Sequence, residues 1–170
     1  MGQDNQKLEK VMEILSENQN KSIKIRDLSR LTHIPRSTLL RYLTKLKKLK
    51  IIDQNNKIIT NNYTKFIKSY IIVKKLFTCG LIDYLEERLV PSAIILFGSI
   101  RKGEYTKESD VDLFIETSKV ESSLDLKKYE NRIKHKIQLF IEPEINNLPN
   151  ELFNNVINGI KLTGYIRIKK

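Results

Sequence analysis

Apolar residues recur along this chain with two different periods, and the switch between them divides it. Leu8, Val11, Met12 and Leu15 fall three or four apart, which predicts an amphipathic helix over residues 6–17. Asn18 to Lys21 reads as a turn. Ile25, Leu28 and Leu31 predict a second, short helix. Pro35 suits the first position of a third, which runs to about Lys50 with Leu39, Leu43 and Leu46 as its buried stripe. Ile51-Ile52, the Asn55-Asn56 turn and Ile58-Ile59 then predict a two-stranded hairpin. Between 63 and 89, Phe66, Tyr70, Phe77, Leu81, Leu85 and Leu89 keep a broadly helical period. That stretch is one long helix or two broken near Gly80, packed on a domain or on a second subunit.

Beyond Pro91 the pattern shortens to strands. Ala93 to Phe97 is a continuous apolar run, stopped by Gly98-Ser99. Leu113 to Ile115 is a second such run. Ser118 to Ser123 reads as a polar loop, and Leu124 to Lys136 as a basic helix with Leu126, Tyr129 and Ile133 apolar. His135, near its end, is placed to interact with the helix dipole. Ile137 to Ile141 predicts a third strand, ended by Glu142-Pro143-Glu144. Leu152, Val156 and Ile160 predict a last helix over 148–160, followed by a terminal strand or tail from Gly164 to Ile168. The fold class expected is α+β: a helix-rich domain over 1–62, a connecting helix over 63–90, and a small α/β domain with a mixed sheet over 91–170.

Charge sharpens this division. The 170-residue chain carries a net charge of +11, which suits a polyanionic partner. Eighteen of its 31 basic residues but nine of its 20 acidic ones lie in residues 1–90. Residues 21–50 alone hold ten basic side chains against Asp27. On the third helix, Ser37, Arg41, Thr44 and Lys48 share the face opposite the leucines, with Lys45 beside them. Arg and Lys supply phosphate affinity, and Ser, Thr and Arg reach base edges. Three helices and a hairpin here resemble a winged helix-turn-helix. That resemblance implies double-stranded DNA as partner, contacted by Arg36, Ser37, Thr38, Arg41, Thr44, Lys45 and Lys48. It also makes a homodimer expected, since such proteins commonly read two half-sites. The single cysteine, Cys79, excludes an intrachain disulfide. No apolar run reaches the ~20 residues of a membrane span, and the polar start is no signal peptide, so a cytoplasmic protein without a membrane partner is expected.

The densest chemistry lies at 96–115, LFGSIRKGEYTKESDVDLFI. Gly98 has no Cβ, so its backbone can approach a ligand closely. Neighbouring N–H groups and the Ser99 hydroxyl suit a phosphate. Strand alternation turns Asp110 and Asp112 to one side, with Val111 and Leu113 to the core. Two carboxylates beside a phosphate cradle suit Mg²⁺ or Mn²⁺ held jointly with substrate phosphates.

Gly98-Ser99, ten residues, then Asp110-x-Asp112 resembles the signature of the DNA polymerase beta-like nucleotidyltransferases. It is most similar to the minimal members, which include antitoxins paired with HEPN-type toxins. The resemblance covers roughly Pro91 to Lys170. It implies transfer of a nucleoside monophosphate from a nucleoside triphosphate to a protein or small-molecule acceptor, a HEPN-type toxin among the candidates. It implies Asp110 and Asp112 as catalytic metal ligands. It assigns Gly98, Ser99, Arg101, Lys102, Gly103 and Ser109 to the nucleotide. The family's third carboxylate sits on the next strand, where the alignment puts Gln138; Glu142 is the nearest acid, four residues on. The alternative is a DNA-binding regulator whose transferase-like domain holds nucleotide or a partner without catalysis.

Overall fold

The computed structural model describes residues 3–18, 21–119 and 123–168. Parts of the expected turn at 18–21 and of the polar loop at 118–123 lie outside these residues. The described chain is α+β, with eight α-helices and one four-stranded mixed sheet. It forms two compact units, one up to Ile71 and one from Ile72 onward.

The first unit contains α1 (Gln3–Glu17), α2 (Ile25–Thr32) and α3 (Arg36–Lys48). Leu39, Leu43 and Leu46 are buried as the spacing predicts, joined by Tyr42. The α2–α3 turn is fixed locally. His33 takes the left-handed conformation, and Thr32 Oγ1 donates to Leu28 O while accepting from Ile34 N. Pro35 is the cap rather than the first helical residue, and its carbonyl accepts from Leu39 N. Leu31, expected on the buried face of α2, is exposed; Leu28 carries the packing and Ile25 assists. The hairpin is shorter than expected. It closes as a single bridge between Ile52 and Ile58, with Asn56 at positive φ, and its buried content is Ile51, Ile52 and Ile58.

The segment over 63–89 is two helices, α4 (Asn62–Thr78) and α5 (Leu81–Leu89), broken at Gly80 with φ +80. Leu81, Leu85 and Leu89 are buried, but Phe66, Tyr70 and Phe77 are not. In the first unit Ile67 and Ile71 turn α4 to the core; in the second, Ile72 and Leu76 do.

The second unit is built on β1 (Ala93–Phe97), β2 (Val111–Glu116), β3 (Ile137–Glu142) and β4 (Ile160–Gly164), in the order β3-β2-β1-β4. β1 runs antiparallel to β2 and β4, while β2 and β3 are parallel. A parallel neighbour needs a crossover, here made through α7 (Lys127–Ile133). One sheet face carries Ile94, Leu96, Val111, Leu113 and Ile115 into the larger core with α5. The other carries Ile95, Phe97 and Phe114 against α8 (Asn150–Ile157).

Expected boundaries move. The basic helix expected over 124–136 is confined to Lys127–Ile133, residues 165–168 are the tail alternative rather than a strand, and helix α8 stops before Ile160, which starts β4 instead. Gly159 is the reason: a Cβ there would fall 2.7 Å from Leu96 O and 2.8 Å from Val156 O. Only a bare Cα lets the chain turn this tightly from α8 into the edge of β1.

Candidate functional site

The site begins where β1 ends. Its last residue, Phe97, pairs with Asp112 on β2. Gly98 then turns the chain at φ +72 into a five-residue helix, α6 (Gly98–Lys102), so the expected tight turn is a helical one. A Cβ on Gly98 would overlap Asp112 Oδ2 and lie 3.0 Å from its Cγ. Glycine suits this position twice, for the backbone conformation and because it leaves the Asp112 carboxylate where it stands. Ser99 O accepts from Glu104 N, and Gly103, at φ +68, closes α6 with its N–H to Ile100 O. Arg101 and Lys102 occupy the last turn of this helix.

Asp112 is half-buried, and its carboxyl is pushed above the usual aspartate range, first by desolvation and then by the charge of Asp110. The two carboxylates thus repel within one neighbourhood. No hydrogen bond or ion pair to the Asp112 carboxylate is present among the described residues. On the far side Asp112 pairs with Gln138 of β3, which puts these two side chains on one sheet face. The β2–β3 register continues without a break to Glu116 and Glu142. Glu142 therefore stays four residues from the Gln138 position, about 13 Å at ~3.3 Å per residue. Beneath the carboxylates, Phe97 and Phe140 meet edge to face at 5.2 Å and close the apolar floor.

The loop into Asp110 is pinned from two sides. Ser109 Oγ accepts from Thr106 N at 3.0 Å, and Ser109 N donates to Thr106 O at 3.1 Å. The Ser109 hydroxyl oxygen thus serves its own loop. His135, buried, places Nδ1 2.7 Å from Ser109 O and packs edge-on to the buried Tyr105 at 5.5 Å. Val111 N donates to Lys136 O at 2.8 Å. The sequence had offered His135 only a helix dipole; its contact with Ser109 spans 26 residues and leaves no local signal. Alongside, an open depression of about 480 Å³ is lined by Lys107, Asp110, Glu130, Lys134, His135 and Lys136.

The expected DNA-facing residues lie in the first unit. Arg36, Ser37, Arg41, Thr44, Lys45 and Lys48 are exposed along α3, and Thr38 is half-buried. Arg41 reaches Asp4 of α1 at 3.2 Å, and Tyr42 donates to the same carboxylate at 2.7 Å. Thr44 Oγ1 donates to Leu40 O, leaving its oxygen able to accept.

A divalent cation prefers oxygen donors, and Asp110 and Asp112 supply two carboxylates that repel each other without one. No cluster of three or more His, Cys, Asp or Glu suited to a metal occurs among the described residues. The donor set fits Mg²⁺ that completes its shell with water and substrate phosphates, as that ion commonly does. No described helix is long and apolar enough to cross a membrane. No curated protein matches the chain. A family model described as "Nucleotidyltransferase domain" matches residues 78–162, from the end of α4 into β4 and across every element of this site. That match spans half of the chain, and the chain belongs to the nucleotidyltransferase-domain family.

Proposed function

We propose that an acceptor oxygen of a protein or small molecule attacks the α-phosphorus of a nucleoside triphosphate on this protein, taking up the nucleoside monophosphate as pyrophosphate leaves, and that its first 62 residues form a DNA-binding winged helix joined through 63–90 to the transferase domain. The observation that carries the transferase reading is the fit of Gly98 against Asp112, with Asp110 close enough to raise the Asp112 carboxyl. Asp110 and Asp112 would hold Mg²⁺ or Mn²⁺, which neutralises triphosphate charge and favours the attacking and leaving oxygens. Gly98 and Ser99 seat phosphate through backbone N–H groups and the Ser99 hydroxyl. Arg101 and Lys102 add positive charge to the same turn. Gly103 shapes the end of that turn, and His135 holds the Ser109 carbonyl so that Asp110 enters β2 in register.

Gln138 favours a second reading. It stands beside Asp112 where the resemblance puts a carboxylate, and an amide cannot take a proton from an acceptor hydroxyl. A regulator that binds nucleotide or a protein partner, a HEPN-type toxin among them, without transfer accounts for it. Incubation with labelled nucleoside triphosphates, Mg²⁺ and candidate acceptors decides between the readings. Transfer by the native protein, lost in Asp110→Asn with Asp112→Asn, supports the enzyme. Nucleotide binding with no transfer to any acceptor supports the regulator.

The DNA reading rests on the exposed basic and hydroxyl side chains of α3. It takes the protein as a homodimer reading two half-sites. Arg41→Glu with Lys45→Glu should abolish duplex binding in a mobility-shift titration, and native affinity should fall steeply with salt as counterions are released. Unchanged binding by the double variant rejects α3 as the DNA face.

A further inference from the structure

In the first unit, α4 carries Tyr63, Phe66 and Tyr70 on its outer side, with fractional exposures of 57%, 65% and 43%. Phe66 and Tyr70 stack with ring centroids 6.3 Å apart. Leu49, just past the end of α3, is 52% exposed. Scattered exposed apolar residues need no explanation, but these line one groove of about 360 Å³ together with Leu8 and Met12. The inward side of α4 is already satisfied by Ile67 and Ile71. A second apolar face on a helix whose first is buried calls for another surface to cover it.

We infer that this groove is a self-association face, covered by the same groove of a second copy of the chain. Three features select a second copy over another occupant. The exposed aromatics recur at i, i+3 and i+7, the spacing that pairs one helix with another along a seam. The face presents a projecting ring, Phe66, beside the depression it helps to line, so a two-fold axis sets each copy's ring into the other's groove. The charged residues in the lining are Glu9 and Lys45, of opposite sign, so two copies meet with no surplus charge; Lys45 belongs both to this lining and to the exposed face of α3. An acidic peptide or a nucleic acid would find no cationic excess on this face. Burying the exposed parts of Tyr63, Phe66, Tyr70 and Leu49 hides roughly 400 Å² per copy, taking 150–250 Å² for a whole aromatic side chain. That is about half of the ~800 Å² per partner of a standard interface, and it is the apolar centre such interfaces are built around.

The inference rests on the homodimer of the DNA reading and adds its face, and the test separates the two. Sedimentation equilibrium of the full chain without DNA should give twice the 20.0 kDa chain mass. Phe66→Glu should return it to the chain mass, with the far-UV spectrum unchanged because Phe66 is largely outside the core. As an independent check, Phe66→Cys in a Cys79→Ser background should form an intermolecular disulfide on mild oxidation. Leu31→Cys in the same background, an exposed position outside the groove, should not. A native protein that stays at the chain mass at every soluble concentration overturns the dimer itself. A native dimer that persists in Phe66→Glu, with cross-linking no greater at position 66 than at position 31, keeps the dimer and overturns this face.

Discussion

The β2–β3 ladder carries an acid on the same sheet face near each end, and the two ends differ in what surrounds it. At one end Glu116 pairs with Glu142; at the other Asp112 pairs with Gln138. Glu116 is buried, yet its carboxylate accepts from Ser92 Oγ at 2.8 Å and from Ile145 N at 3.0 Å. It ties the start of β1 to the 3₁₀ turn at Ile145–Asn147. Asp112 is less buried, is offered no such donor among the described residues, and shares its surroundings with Asp110. Burial by itself therefore does not mark a site. An acid whose lone pairs are met by protein donors is part of the scaffold. An acid held beside another of like charge, against a glycine, is ready for a ligand that brings positive charge.

This contrast is sharpened most by exchanging the residues opposite the two acids. Gln138→Asp supplies a carboxylate beside Asp112, and general-base assistance is typically worth 10²–10⁴-fold. Transfer to a given acceptor should rise within that range in a single-turnover assay. Glu142→Gln, at the other end of the same strand, should leave transfer unchanged. Loss of transfer in Glu142→Gln, with Gln138→Asp neutral, would make Glu142 the third carboxylate and reverse the roles of the two ends.

Next in size is Glu116→Ala. It strands the Ile145 N–H in a buried place, while Ser92 Oγ keeps the Glu116 backbone carbonyl as its acceptor at 3.1 Å, and an unmet buried donor costs about 1–3 kcal/mol. Chemical denaturation should show a loss of that order, while metal-dependent nucleotide binding by the folded protein stays as it was. A variant of native stability would remove Glu116 from the scaffold.

These roles were only partly legible in the sequence. The close approach at Gly98 and the burial of Val111 and Leu113 could be read because both depend on local rules: a residue without Cβ, and side chains alternating along a strand. The α3 stripe was legible for the same reason. Phe66, Tyr70 and Phe77 left their cover open between a domain and a second subunit, since a helical period shows that one face is apolar without showing what covers it. Ile71, Ile72 and Leu76 hold the core side, with the partly buried Ile67 packed on the same core as Ile71. The end of α8 was misplaced because Ile160 continues the helical spacing, while the close approach of Gly159 to β1 overrides it. The Glu116 and His135 contacts span 24 to 29 residues, and nothing local announces them.

The smallest effect concerns stability without metal. The Asp112 carboxyl is raised above its unfolded value, so the folded state prefers it protonated, and its charged form detracts from stability above the folded pKa. Asp112→Asn should therefore melt slightly higher than the native protein at neutral pH in chelator. The gain should shrink as pH falls through the folded pKa towards the ordinary aspartate value. It is small because the carboxyl is partly open to solvent. Excess Mg²⁺ should narrow the difference by stabilising only the native protein. A variant that melts lower at neutral pH in chelator would show that the native carboxylate is stabilised by a donor.

Calorimetric titration of a nucleoside triphosphate into the protein, with Mg²⁺ and then with chelator, tests most directly whether Asp110 and Asp112 form the nucleotide-metal site. The native protein should bind markedly tighter with Mg²⁺, and Asp110→Asn with Asp112→Asn should bind equally weakly in both conditions. The same metal-dependent gain in the double variant would contradict the assignment of these two carboxylates.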